Sequence, residues 1–297
     1  LLNYNFEKKY FLKQTLTNYA QLMKFTLSFT VVFTCVICYM LAPKVMAYDW
    51  TMILLLTFAG LCITGSANAI NQAVEKDTDA QMKRTANRPV ASGRMSQQTA
   101  YTFATITGVL GVAIMWKYFN FSSALLSAFS LFLYAFVYTP LKKINSIAVL
   151  VGAFPGALPC LIGWVAGNDN FAYAGLALFL IQFIWQFPHF WAIAWVTHTD
   201  YARVGFKLLP AKEVPTRFTA LQCIMYAVLM IPIGFLPYYL NLTGQVSMWI
   251  LLVANIFMVV QCVRLYQNRG VPAARRVMFS SYIYLPIVYL ALLADKL

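Results

Sequence analysis

The chain has 297 residues, 61% of them hydrophobic and 10% charged, with 22 Lys and Arg against nine Asp and Glu and a mean hydropathy of +0.67. This composition excludes an ordinary water-soluble enzyme. The formal net charge of +13 is assigned mainly to membrane topology and anionic headgroups, with part of it open to an anionic substrate, and it needs no nucleic acid as a partner.

Residues 1–24 are polar and basic with scattered aromatics (Phe6, Tyr10, Phe11, Tyr19). They lack the apolar core of a signal peptide and read as a cytoplasmic, interfacial lead-in. Apolar runs follow at 25–43, 51–73, 99–117, 121–138, 146–166, 171–195, 218–239, 246–264 and 277–294. Each is about as long as a helix needs to cross a hydrocarbon core of about 30 Å. The runs are apolar on all sides, whereas barrel strands alternate, so the expectation is an all-α polytopic membrane protein with nine transmembrane helices in one domain over 1–297. Nineteen of the 22 basic residues fall on the side of the N-terminus, leaving Lys44, Lys117 and Lys296 opposite. That bias places the N-terminus and the long loops on the cytoplasmic side of a cytoplasmic (inner) membrane. All six cysteines lie within the spans, and Cys35 and Cys38, though spaced C-x-x-C, read as small packing residues.

Against this apolar background the polar residues near helix ends carry the information. The segment from Asn68 to Arg94 holds three of the nine acids and five basic residues. Asn71, Glu75 and Asp79 recur every fourth position and share one helix face, with Asn68 a turn earlier on the same stripe and Asp77 off it. Two amides and two carboxylates in such a stripe suit magnesium, which takes one or two carboxylates with water and phosphate oxygens. The bland alternative is a helix end running into solvent, but polar groups at membrane depth are costly and point to function. Arg84 and Arg88 follow, with Lys83 beside them and Pro89 ending any helix. Guanidinium groups bind phosphate oxygens bidentately, so the segment reads as a diphosphate site, although a positive-inside loop would also hold these arginines.

Two further cytoplasmic segments contribute candidates. Tyr138 and Lys142 stand four apart in YTPLKK, and QFPHFWAIAW leads through THTDYARVG, giving His189 within the sixth span and His198 and Asp200 at its end. His189 is either a hydrogen-bonded core residue or one that meets a porphyrin or handles a proton.

These residues resemble a known family. Asn71-x-x-x-Glu75-x-x-x-Asp79 is similar to the first aspartate-rich motif, N-x-x-x-D-x-x-x-D, of the UbiA superfamily of intramembrane prenyltransferases. Five ordered segments, NQAVEKDTDAQMKRTANRP, YTPLKK, GALPCLIGW, FPHFWAIAW and DYARVGFKLLP, resemble its haem-modifying branch over roughly 20–290. The resemblance implies a nine-helix UbiA-type bundle with a cytoplasm-facing site, and a reaction of haem B, farnesyl diphosphate and water giving haem O and diphosphate for terminal oxidases. It implies Mg2+ on Asn71, Glu75 and Asp79, with Arg84, Arg88 and Lys142 neutralising the diphosphate, and a catalytic or haem-contacting role for His189. Asn68, Tyr138, Asp200, Arg203, Trp185 and Phe190 complete the implied substrate contacts. Trp164, Phe187, Trp191 and Trp195 are further aromatics that either wall the pocket or simply pack. Hand-over of the product to a haem A synthase or to oxidase assembly also follows from the resemblance. Glu75 stands where the superfamily has Asp, which keeps the charge on an arm one methylene longer. The second aspartate-rich motif is reduced to Asp200 with Arg203 nearby, a reduction typical of the haem-modifying branch.

Two other readings stay open at this point. One is a prenyltransferase of the same fold acting on an aromatic quinone precursor. The other is a secondary transporter, which would be expected to bring broken helices and internal repeats together near the membrane midplane.

Overall fold

The computed structural model describes residues 13–211 and 214–297. Of the expected interfacial lead-in, the stretch with Phe6, Tyr10 and Phe11 lies outside the described residues, as does Lys212. Among the described residues every regular element is helical, apart from one isolated bridge between Thr243 and Lys296. In chain order these are α1 (Lys13–Leu22), α2 (Phe25–Leu41), α3 (Trp50–Val74), α4 (Lys76–Gln81), α5 (Gln97–Tyr118) and α6 (Phe121–Phe132). A π-helix (Leu133–Tyr138) and α7 (Thr139–Leu141) continue α6, and α8 (Ala148–Asn168), α9 (Tyr173–Val196) and α10 (His198–Arg203) follow. The chain ends with α11 (Arg217–Gly234), α12 (Leu236–Tyr239), α13 (Gln245–Asn268) and α14 (Val271–Ala294).

Among the described residues eight helical runs are long and apolar enough to cross a membrane, and α1 with α2, bent by 53°, make a ninth when the pair is taken as one span. Every expected span is present. The last begins at Val271 rather than at 277 because Arg275 and Arg276, taken as loop charges, lie on the exposed side of its opening turns. Side-chain oxygens start several spans: Asp49 accepts from the backbone of Thr51 and Met52, Ser96 from Thr99, Asn120 from Ser123 and Thr216 from Thr219. Each satisfies amide groups that a helix start leaves open.

The helices form a closed bundle. Helix α3 packs on α2 and α5, α6 on α5 and α8, α9 on α8, α11 and α14, and α14 returns to α2. Helix α8 is enclosed by α2, α6 and α9, as expected of a helix that is hydrophobic all round. By contrast, α5 and α13 expose Ile106, Val109, Val253 and Phe257, faces suited to lipid. Pro155 and Pro159 interrupt the α8 ladder, since proline has no N–H to give. Side chains of neighbouring helices serve the carbonyls around these breaks: Gln182 donates to Gly156 O (2.7 Å), Gln186 to Ala153 O (3.0 Å) and Ser130 to Pro155 O (3.4 Å). At the end of the bundle remote from α4, Lys296 Nζ donates to the carbonyls of Met40 (2.7 Å), Ala42 (3.0 Å) and Val45 (2.8 Å). This clip closes α14 onto the end of α2.

Helices α2 and α8 cross so closely that a Cβ on Gly163 would overlap the carbonyl oxygen of Cys35. Gly163→Ala is therefore expected to destabilise the folded bundle by about 1–3 kcal/mol, the usual range for overpacking. A lowered Tm in detergent would show this; an unchanged Tm would mean the two helices separate freely.

Candidate active site

The site is built where three backbone irregularities meet. The first is the break between α1 and α2, where Lys24 adopts a left-handed conformation (φ 50°, ψ 54°), costly for a residue with a Cβ. Amides of α3 hold it there. Asn68 Nδ2 donates to Met23 O (3.0 Å) and Ser28 Oγ (3.1 Å), and Gln72 Nε2 to Gln21 O and Leu22 O (both 2.9 Å). Asn68, expected as a substrate contact, supports this bend through its amide N–H groups.

The second irregularity is at Glu75, where α3 ends (φ −93°, ψ 13°) and α4 begins at the next residue. The stripe of Asn71, Glu75 and Asp79 is therefore not carried on one uninterrupted helix. The backbone bond from Asp79 N to Glu75 O (2.7 Å) spans the break, so all three side chains remain buried while Asp77 is exposed. The third is the π-helix before Pro140, a widened turn of a kind that often marks functional sites. It sets the Tyr134 and Tyr138 rings 5.4 Å apart and turns Thr139 toward α3. Thr139 Oγ1 donates to Tyr134 O (2.8 Å) and accepts from Asn71 Nδ2 (3.4 Å). Gly152 leaves room for the Tyr138 ring, whose carbons would lie 2.7 Å from an added Cβ.

Each of the three stripe acceptors meets one cation. Lys24 Nζ donates to Asn71 Oδ1 (3.2 Å), Lys142 Nζ contacts Glu75 Oε1, and Arg88 Nη1 donates to Asp79 Oδ2 (2.6 Å). Two carboxylates against three formal cations leave one excess positive charge. Lys142 also lies 5.0 Å from the centre of the Tyr138 ring and 5.2 Å from that of Phe206. Burial holds its ammonium below the ordinary lysine range, against the opposing pull of Glu75. The cluster still has unmet acceptor capacity: Asp79 Oδ1 is buried with no hydrogen-bond partner, and Glu75 Oε1 accepts no well-formed hydrogen bond beside its ion pair. Buried oxygens without partners are costly. Two such carboxylates with an amide oxygen between cations are a donor set that fits magnesium completed by phosphate oxygens. No third acidic, histidine or cysteine side chain joins them among the described residues.

Arg84 and Arg88 do not share a helix, since residues 82–95 run as successive turns. Arg88 turns in to Asp79, whereas exposed Arg84 reaches across to Tyr201 OH (3.4 Å). Arg203 Nη1 donates to Gln81 O (3.3 Å). Helix α10, which carries Asp200, is thereby held beside α4. His198 and Asp200 are half-buried.

His189, on α9, forms a second cluster. Its ring stacks on Trp185 (4.5 Å between centroids, 19°), lies 5.5 Å from Phe190 and meets Tyr282 edge-on at 5.3 Å. Trp185 Nε1 is buried without a partner. Phe187 and Trp191 instead pack on Tyr226, and Trp164 is enclosed against Gly175, which makes these three packing residues. All six cysteines are free and buried. Sequence reasoning missed Lys24, Thr139, Tyr134 and Tyr201. Thr139, inside YTPLKK, and Tyr201, inside DYARVGFKLLP, lay in segments that the sequence had singled out.

The sequence matches the UbiA prenyltransferase family over residues 31–283. The protoheme IX farnesyltransferase of Cytophaga hutchinsonii is 42% identical over 94% of this chain and 97% of its own length. Among solved structures, one described as digeranylgeranylglyceryl phosphate synthase superposes with a TM-score of 0.79 at 20% identity, covering 95% of this chain and 98% of its own. A UbiA homologue from Archaeoglobus fulgidus bound to GPP and Mg2+ gives 0.70 at 13% identity, covering 93% and 99%. At such identities the solved structures establish a shared fold.

Removing one partner of a buried ion pair strands the other charge. Glu75→Gln is expected to lower stability by about 3–5 kcal/mol, and Glu75→Gln with Lys142→Met to recover most of the loss. Thermal unfolding of the single and double variants checks this; simple additivity of the two changes would deny the coupling.

Proposed function

The chain belongs to the UbiA prenyltransferase family, on its protoheme IX farnesyltransferase branch, and on this premise we propose how its residues move a farnesyl group from farnesyl diphosphate to a vinyl group of haem B. Water adds in the same reaction, and haem O and diphosphate are the products. The observation that carries the reading is the buried set of three cation–acceptor pairs with an unpartnered Asp79 oxygen.

Asp79, Glu75 and the Asn71 amide oxygen would hold magnesium, which would supply Lewis-acid stabilisation to the departing diphosphate. The chain's own cations do the rest at the leaving group. Arg88, Lys142 and Lys24 give up part of their contact with the acceptors and take phosphate oxygens, so no buried charge is left alone during the exchange. Arg84, exposed and held by Tyr201, reaches the outer phosphate. As the allylic C–O bond breaks, these fixed positive charges stabilise the charge growing on oxygen without reorganising. Tyr134, Tyr138 and Phe206 surround the Lys142 end of the cluster and restrict water there. The vinyl carbon of haem attacks the farnesyl carbon, and water captures the resulting cation on the haem side, losing a proton. Trp185, Phe190 and His189 are assigned to the porphyrin, and the unpaired Trp185 N–H is a donor for an acceptor that arrives with it. Asp200 and Arg203 border the substrate from α10.

The remaining features of the proposal concern placement. The chain acts as one prenyltransferase domain in a cytoplasmic membrane, its N-terminus and the α3–α5 and α9–α11 loops facing the cytoplasm, which the distribution of basic residues supports. Product passes to a haem A synthase or to oxidase assembly.

Incubating the detergent-purified protein with haem B, farnesyl diphosphate and magnesium is expected to yield haem bearing a hydroxyethylfarnesyl group by mass spectrometry, lost with chelator. Failure of folded protein that prenylates a quinone precursor instead would overturn the acceptor. Asp79→Asn is expected to lower turnover about 100- to 1000-fold, the scale for a transition-state electrostatic group, while haem still binds. Arg84→Ala is expected to raise KM for farnesyl diphosphate about 10-fold or more, the worth of a charged hydrogen bond, with unchanged Tm because the side chain is exposed. Unchanged kinetics would return Arg84 to a topological role.

A further inference from the structure

Ser281, on α14, is fully buried and its hydroxyl stands between two groups: His189 Nδ1 at 2.7 Å and the carbonyl oxygen of Met278 at 2.6 Å. A hydroxyl has one proton. The Met278 carbonyl has none to offer, so a contact that short between two oxygens requires the Ser281 proton to lie between them. The proton in the contact with His189 must then come from the imidazole. This fixes His189 as the Nδ1–H tautomer and leaves the lone pair on Nε2. Among the described residues no group hydrogen-bonds Nε2. The ring plane is set independently by the stack on Trp185 and the edge contact with Tyr282.

We propose that Ser281 is a positioning residue for the acceptor, locking His189 so that its Nε2 lone pair serves as an axial ligand of the haem iron. The inference rests on haem being the acceptor, and it goes further by assigning one iron contact and the group that orients it. A metal-binding imidazole commonly donates its other N–H to a fixed acceptor, which sets tautomer and ring orientation and raises ligand basicity. Neutral imidazole is also a common haem ligand. The position is suitable: His189 lies seven residues before Val196, the last of α9, about 10 Å along the helix at 1.5 Å per residue. Tyr282 adjoins the imidazole and lies within electrostatic reach of Arg84 and Tyr201.

The test uses the purified full chain and haem B alone, without prenyl donor. Trp fluorescence quenching reports binding, and resonance Raman of the ferrous complex reports the iron–histidine stretch. The wild type is expected to show that band, and His189→Ala to lose it and regain an imidazole-bound spectrum on addition of free imidazole. Ser281→Ala should keep the band but shift it to lower frequency, with haem affinity reduced roughly 10- to 100-fold; Ser281→Thr should restore the frequency. Ser281→Ala only removes an oxygen, so it carries the test even if threonine does not fit. Haem that binds with no histidine-ligated iron, or a band indifferent to Ser281→Ala, overturns the proposal and leaves farnesyl transfer standing. No haem binding at all removes both.

Discussion

Three positive charges and three acceptors share a buried volume at the end of α3, and the rest of the site depends on their mutual neutralisation. Each of Lys24, Lys142 and Arg88 would be costly to bury alone, as would Glu75 and Asp79. Together they are tolerated, with one excess positive charge and one free carboxylate oxygen. A metal–diphosphate complex offers both signs at once. Its phosphates can replace the acceptors around the cations while its metal replaces the cations around the acceptors. On the proposed reading, these pairs hold the charged side chains in place ahead of substrate, the kind of preorganisation that makes electrostatic catalysis effective.

The backbone makes this arrangement possible by departing from regular helix in three places that converge on the same spot. The left-handed Lys24 directs an ammonium inward and is held by the amides of Asn68 and Gln72. The break at Glu75 lets α4 turn without removing Asp79 from the face shared with Asn71. The π-helix ahead of Pro140 brings Thr139 and Lys142 against α3. The closed bundle around them, clipped at its far end by Lys296, supplies the rigid frame. Regular spans such as α13 contribute packing and a lipid-facing surface.

Much of this was legible in the amino-acid sequence because the membrane imposes strong patterns. The nine spans followed from apolar runs, and the largest displacement was at the start of α14, where Arg275 and Arg276 resembled loop charges. The stripe of Asn71, Glu75 and Asp79 was visible from its four-residue period, which survives the break at Glu75. Lys24 was hidden because a lone lysine ahead of a first span looks like any topological charge; only the bend turns it inward. Asn68 shared the stripe's period, yet its amide N–H groups serve the Met23 carbonyl and the Ser28 hydroxyl, a distinction that periodicity cannot make. Ser281 had no signal: a serine in an apolar helix is ordinary, and its partner His189 lies 92 residues away.

On the proposed reading, the pairing at α3 serves the departing diphosphate and the aromatic cluster around His189 on α9 orients the acceptor. The most direct measurement is electron paramagnetic resonance of Mn2+ in place of Mg2+, with farnesyl thiodiphosphate as an unreactive donor. A bound Mn2+ signal that requires the analogue and disappears in Asp79→Asn is the expected result. An identical bound signal in Asp79→Asn would contradict the assignment of the α3–α4 carboxylates to the metal–diphosphate complex.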